Sequence, residues 1–257
     1  MDFGYGAVLV LNPSRRFIET RRFIVKHPRM RLVPDWQDVW TRLSYPDTFW
    51  FVFALTGGLV FLSFLVRNRA TLGFDLKATL TLQKHFHPVI FKIAKGLTWL
   101  GNALTLILLA AGVFIFCMIK QEWMAGLFTL ASLLALPVNA LLKNIFDRER
   151  PGENEVKVHP GPRWGFSYPS GHAMGSTALY GALGFLFWIL VPDSTVRYSM
   201  VGLFFLMPFL ISASRIYLGA HWFSDVVGGI AGGLIVVTII AACYPVSSQT
   251  IPLPIRS

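Results

Sequence analysis

Residues 168–192 read YPSGHAMGSTALYGALGFLFWILVP. From Gly171 to Pro192 there is no Asp, Glu, Lys or Arg, a run close to the roughly 20 residues that a helix needs to cross a bilayer's hydrocarbon. Residues 48–66, 96–119, 123–142, 198–214 and 226–244 share that character. The run at 198–214 is the shortest, and it extends toward Leu218 if Arg215 is buried in protein. With 54% of 257 residues hydrophobic and the charges gathered between these runs, the chain reads as all-α. The expected architecture is a polytopic membrane protein, a six-transmembrane-helix bundle with interfacial helices. The expected domains are a basic cytoplasmic tail over 1–46, a six-span domain over 47–245 and a short tail over 246–257.

The net charge of +10 resides in loops that flank the spans, and no nucleic-acid motif accompanies it, so anionic lipid headgroups are the expected partner and nucleic acid is not. In the tail, Trp36, Val39, Trp40 and Leu43 follow helical spacing between Pro34 and Pro46. They predict a helix lying on the membrane, with an unstructured basic tail as the alternative. The first 46 residues hold no continuous apolar core, so no cleavable signal peptide is expected. A second surface helix, bent near Pro88, is expected over 74–95, where apolar and lysine positions recur at helical intervals. Cys117 and Cys243 fall within spans and read as two buried thiols, not a disulfide. Gly228, Gly229, Gly232 and Gly233 form small-xxx-small pairs that suit close packing inside the bundle; a homodimer face is the alternative.

Six spans put both termini on one side and the loops 67–95, 143–170 and 215–225 together on the other. Discounting Lys143, Arg148, Arg150 and Arg215, the site side holds eight cations against eleven on the terminal side. The positive-inside rule then places the tail in the cytoplasm and the site on the extracytoplasmic face of the cell's inner membrane.

Three polar strings share that face: KNIFDRERP (143–151), YPSGHA (168–173) and SRIYLGAHWFSD (214–225). Charge at membrane depth is expensive unless it is paired or functional. In the third string, His221 and Asp225 are four residues apart and share a face if the last helix begins near His221. The aspartate can then hold the imidazole tautomer and leave the other nitrogen free for attack on phosphorus. By itself such a pair is as readily a helix cap. Lys143, Arg150 and Arg215 mix planar forks with a point charge and suit a tetrahedral anion. Lys143, Arg148 and Arg150 also read as snorkelling side chains partnered by Asp147 and Glu149. Ser170, Gly171 and His172 open a helix, whose first N–H groups lack intrahelical acceptors and favour anions; His172 is placed to protonate a leaving oxygen.

Lys143-x6-Arg150-Pro151, Pro169-Ser170-Gly171-His172 and Ser214-Arg215-x5-His221-x3-Asp225 together resemble the type 2 phosphatidic acid phosphatase superfamily. The resemblance implies an integral membrane phosphatase that hydrolyses a lipid phosphate or lipid diphosphate through a phosphohistidine. His221 would be the nucleophile, His172 the acid and Asp225 the support of His221. Lys143, Arg150, Ser170, Gly171 and Arg215 would bind phosphate, with no metal and no cofactor. A lipid phosphotransferase using the same intermediate, or a non-catalytic anion or lipid transporter, are the competing readings. His27, His85, His87 and His159 receive no catalytic role; His159, Arg163, Trp164 and Tyr168 are placed to cover the entrance and contact a headgroup, with loop packing as the alternative.

Overall fold

The computed structural model describes residues 6–7, 22–23, 45–84, 87–159 and 165–244. The chain forms two compact units, Met1–Asp35 and Trp36–Ser257. In the first, β1 (Gly6–Ala7) pairs antiparallel with β2 (Arg22–Phe23). The regular structure among the second unit's described residues is helical, in the order α1 (Pro46–Arg67), α2 (Leu72–Gln83), α3 (Pro88–Leu100), α4 (Ala103–Ile119), α5 (Trp123–Ala131) and α6 (Ala135–Phe146). Then follow α7 (Gly171–Leu190), α8 (Ser194–Tyr217) and α9 (Phe223–Ala242). A single 3-10 turn, Ser132–Leu134, joins α5 to α6 into one span. The tail helix expected around Trp36, Val39, Trp40 and Leu43 lies outside the described residues, as do His27, His85, Arg163 and Trp164.

Among the described residues, five helices are long and apolar enough to cross a membrane: α1, α5–α6, α7, α8 and α9. The span expected over 96–119 is not one straight helix. α3 and α4 reach the required length only together, bent by 56°, which makes six crossings when the bent pair counts as one. The break has a local cause. Asn102 caps α4 by accepting the Leu104 N–H at 3.0 Å, and Gly101 occupies a site where a Cβ would lie 2.4 Å from Ile211 Cγ2 and 3.3 Å from His172 Cδ2. The surface helix expected over 74–95 is correspondingly divided: Pro88 starts α3 with His87 as its N-cap, and α3 belongs to the bent pair.

α7 occupies the centre. It packs against α8, α9, α6 and α4, and its Leu179, Tyr180 and Leu183 join Leu106, Ala110 and Ile211 in one core. α9 approaches closely through its glycines: a Cβ on Gly229 would meet the Ser170 carbonyl at 2.6 Å, and one on Gly233 the Met174 carbonyl at 2.6 Å. These glycines therefore serve packing inside the bundle. Phe49, Trp50, Phe53, Phe61 and Phe64 of α1 and Phe205, Leu206 and Phe209 of α8 are exposed, as suits lipid-facing positions. α2 is inverted relative to a water-facing helix: it buries Asp75, Thr79 and Gln83 and exposes Leu72, Phe74, Leu80 and Leu82. Cys117 is buried and Cys243 half-buried, both as free thiols.

Replacing Gly101 by Ala forces Ile211 or the bend to move, so Gly101→Ala is expected to destabilise the protein by about 1–3 kcal/mol. Gly112→Ala, whose methyl meets nothing within 4 Å, leaves stability unchanged or slightly raised. Thermal transitions of the two variants in detergent decide this; equal transitions would show that the bend tolerates a side chain.

Candidate active site

Asp225 stands in the first turn of α9, and that position determines its partners. Its Oδ2 accepts the Trp222 N–H at 2.8 Å and the Ser167 hydroxyl, while Oδ1 accepts Arg148 Nη1 at 2.7 Å. Nδ1 of His221 lies 3.4 Å from Oδ2. His221 is not on the helix, because α9 begins at Phe223. The pair forms because the turn 218–222 folds back over the helix start, not because the two residues share a helical face.

The opposite nitrogen, Nε2, is 3.2 Å from Arg150 Nη1. A guanidinium has donors only and keeps its protons, so Nε2 must present its lone pair. The single ring proton is then on Nδ1, facing Asp225 and, at 3.4 Å, the Ser167 oxygen. His221 is 1% exposed. Burial, reinforced by the positive charges of Arg150, Arg215 and Lys143, holds it well below the ordinary histidine range, with Ser167 opposing.

The cations come from three elements. Lys143 is half-buried in the last turn of α6. Arg150 follows α6 and also donates to the carbonyls of Ala220 at 2.7 Å and Gly165 at 3.0 Å. Arg215, in the last turn of α8 and 6% exposed, donates to Thr98 Oγ1 at 2.7 Å. Ser170 is the buried N-cap of α7, its Oγ accepting from Ala173 N at 3.5 Å and its own N–H donating to the Asp225 carbonyl at 2.9 Å. Gly171 and His172 are the first two residues of α7, where N–H groups have no intrahelical acceptor. His172 is close enough to Arg215, Lys143 and Arg150 to feel their positive charges. All eight residues singled out from the sequence thus converge: Lys143, Arg150, Ser170, Gly171, His172, Arg215, His221 and Asp225.

Three neighbours, Ser167, Asn139 and Asp75, were not legible as site residues, and Arg148, which the sequence groups with the site cations, takes partners its string did not indicate. Arg148 bridges Asp75 at 2.6 Å and Asp225 at 2.7 Å, instead of pairing with Asp147 or Glu149. Asp147 takes a left-handed conformation that ends α6. Ser167, which orders Asp225, is held by its own N–H on the Arg148 carbonyl at 2.7 Å. Asn139 donates to the Pro169 carbonyl at 3.0 Å and steadies the approach to α7. Asp75 announced itself only through the polar stripe it makes with Thr79 and Gln83. Tyr168 is fully buried, bonded to Ser63 Oγ at 2.9 Å and packed edge-on against Phe146, which fits a packing role. His159 packs on Phe91 and bonds the Leu218 carbonyl through its backbone, consistent with loop packing. Burial, aided by Lys157, lowers its basicity.

An apolar helical bundle with a buried cationic and histidine site at the span ends is a multi-pass membrane protein with a candidate site for a tetrahedral anion. Residues 122–248, about half of the chain, match the sequence profile of the PAP2 superfamily. The chain is 29% identical over 153 residues to phosphatidylglycerophosphatase B of Bacillus subtilis (strain 168), covering 58% of this chain and 72% of that protein. It is also 29% identical over 158 residues to the decaprenylphosphoryl-5-phosphoribose phosphatase of Mycobacterium tuberculosis, covering 60% and 80% respectively. The crystal structure of a transmembrane PAP2-type phosphatidylglycerolphosphate phosphatase from Bacillus subtilis shares the fold, with a TM-score of 0.64 at 24% identity over 74% of this chain and 94% of that one.

Because Nε2 is unprotonated and the site is positive, His221 is expected to stay neutral as pH falls through about 6.5, where an ordinary histidine gains its proton. NMR of histidine-labelled protein in micelles, assigned with His221→Ala, tests this; a His221 resonance titrating near that value would contradict the geometry.

Proposed function

We propose that the protein hydrolyses a lipid phosphate or lipid diphosphate through a phosphohistidine on His221. The observation that carries this is the contact of Arg150 with Nε2, which leaves a lone pair on the nitrogen facing the cations while Asp225 and Ser167 order the other side. Arg150 exchanges Nε2 for a phosphate oxygen, joined by Arg215, Lys143, the Ser170 hydroxyl and the N–H groups at the start of α7. Nε2 forms the bond to phosphorus as the bond to the leaving oxygen breaks. His172 supplies that oxygen's proton, and Asp225 stabilises the imidazolium. Water then attacks phosphorus, giving a proton to His172 and releasing phosphate and neutral His221. Every charge the reaction needs comes from side chains, so the step is metal-independent.

The substrate is of the phosphatidic acid, phosphatidylglycerophosphate or undecaprenyl diphosphate type. Similarity to phosphatidylglycerophosphatase B makes phosphatidylglycerophosphate the first lipid to assay. The distribution of Lys and Arg favours a plasma-membrane protein with the site on the extracytoplasmic side.

With radiolabelled lipid phosphate, acid-labile and alkali-stable label is expected on the wild type after quenching. His221→Ala is expected to lose label and about 10⁴-fold or more of the turnover. Phosphate release should survive a chelator; full turnover in His221→Ala would sink the mechanism. His172→Ala is expected to slow cleavage most for lipids with poor leaving groups, and an equal loss across a leaving-group series would rule against the acid role.

A further inference from the structure

We infer that Asp75, on a helix outside the three motif strings, is a positioning residue for the catalytic histidine, acting through Arg148 on Asp225. The inference rests on the proposed role of His221. Asp75 is wholly buried in α2 and lies 150 positions before Asp225. Its Oδ2 takes Arg148 Nη2 at 2.6 Å and Ser224 Oγ at 2.7 Å, and its Oδ1 takes the Ser224 N–H at 2.8 Å. The other arm of the same guanidinium, Nη1, reaches Asp225 Oδ1 and Ser224 Oγ, both at 2.7 Å. One planar cation therefore spans two carboxylates, while Asp75 also pins the residue just before Asp225.

Two consequences follow for His221. With Oδ1 committed to Arg148, Asp225 presents Oδ2 to Trp222 N, Ser167 and the imidazole, so the carboxylate cannot rotate away from Nδ1. The second consequence is electrostatic. The charged and titratable groups around His221 are Lys143 of α6, Arg148 and Arg150 beyond it, His172 of α7, Arg215 of α8, Asp225 of α9 and, behind Arg148, Asp75 of α2. Four cations face two carboxylates. Without Asp75, Arg148 would spend its charge on Asp225 alone and weaken the support that Asp225 gives an imidazolium.

The rest of α2 agrees with such a task. At its far end Gln83 donates to the carbonyls of Lys157 at 2.7 Å and Tyr217 at 3.0 Å, and accepts the Lys157 N–H at 3.0 Å. The polar stripe thus ties α2 to the loop after α6, to the end of α8 and to the start of α9.

The test uses full-length protein in mixed micelles with phosphatidylglycerophosphate as the probe, and compares Asp75→Asn, Asp75→Glu, Arg148→Met, Asp75→Asn/Arg148→Met and His221→Ala. Asp75→Asn is expected to lower kcat by about tenfold with KM changed by no more than about twofold. Loss of a negative charge destabilises the imidazolium, so the acid limb of the kcat/KM profile moves to lower pH relative to wild type. Simple loosening would hydrate His221 and move that limb to higher pH, so the direction separates positioning from structural damage. Asp75→Glu should restore most of kcat. In the Arg148→Met background, Asp75→Asn should have no further effect; the double variant leaves no unpaired buried guanidinium and keeps the comparison available if Asp75→Asn alone does not fold. Wild-type kcat in Asp75→Asn, an upward shift of the acid limb, or an undiminished loss beside Arg148→Met overturns the inference. An active His221→Ala overturns the underlying mechanism, and the inference with it.

Discussion

Charge buried in a membrane bundle must be paired, and in this protein one guanidinium meets that requirement for three elements at once. Arg148 lies between Asp75 and Asp225, with the carboxylates fully buried and its own side chain 8% exposed. Removing one partner from such a group leaves an uncompensated ion, at a typical cost of about 3–5 kcal/mol. The bridge therefore holds α2, the segment after α6 and the first turn of α9 in a single arrangement. Trp222 lies against the guanidinium face, 5.8 Å away, and closes the bridge on a further side.

The helical frame around that bridge is built by close approach. Gly229 and Gly233 let α9 reach the backbone of α7, which brings the Asp225 carbonyl onto the Ser170 N–H and so joins the anion-accepting start of α7 to the histidine turn. Gly101 does the same for the bent pair: its bare Cα admits Ile211 and His172, and the last turn of α3 offers Thr98 to Arg215. A straight second span would carry Thr98 and Gly101 along a single axis; the 56° bend turns α3 toward the end of α8. Membrane-protein backbone breaks are tolerated where the freed groups are satisfied locally, and the Asn102 cap does that.

Legibility differed by kind of signal. Uncharged runs near 20 residues located the crossings because hydrocarbon thickness imposes a length on any helix. The break at Gly101–Asn102 carried a readable helix-stop and helix-start pair, yet its apolar surroundings masked it. The buried face of α2 was also present as Asp75, Thr79 and Gln83 at four-residue intervals, but apolar and lysine positions at similar intervals pointed only to a surface helix. Ser167 had no spacing signal at all, because its role arises from a loop returning to Asp225.

By itself the sequence determined the class of the molecule and the members of its candidate site: apolar length dictates spans, and Lys143, Arg150, Ser170, Gly171, His172, Arg215, His221 and Asp225 stand in the three polar strings at the span ends. Only the tertiary structure decided which nitrogen of His221 bears the proton, because that follows from Arg150 lying 3.2 Å from Nε2. It alone assigned Arg148 to two carboxylates and brought Asp75 to the His221–Asp225 pair. Hydrogen bonds and ion pairs depend on distances of about 3 Å between atoms, and across 150 positions of chain such distances are set by packing, not by spacing.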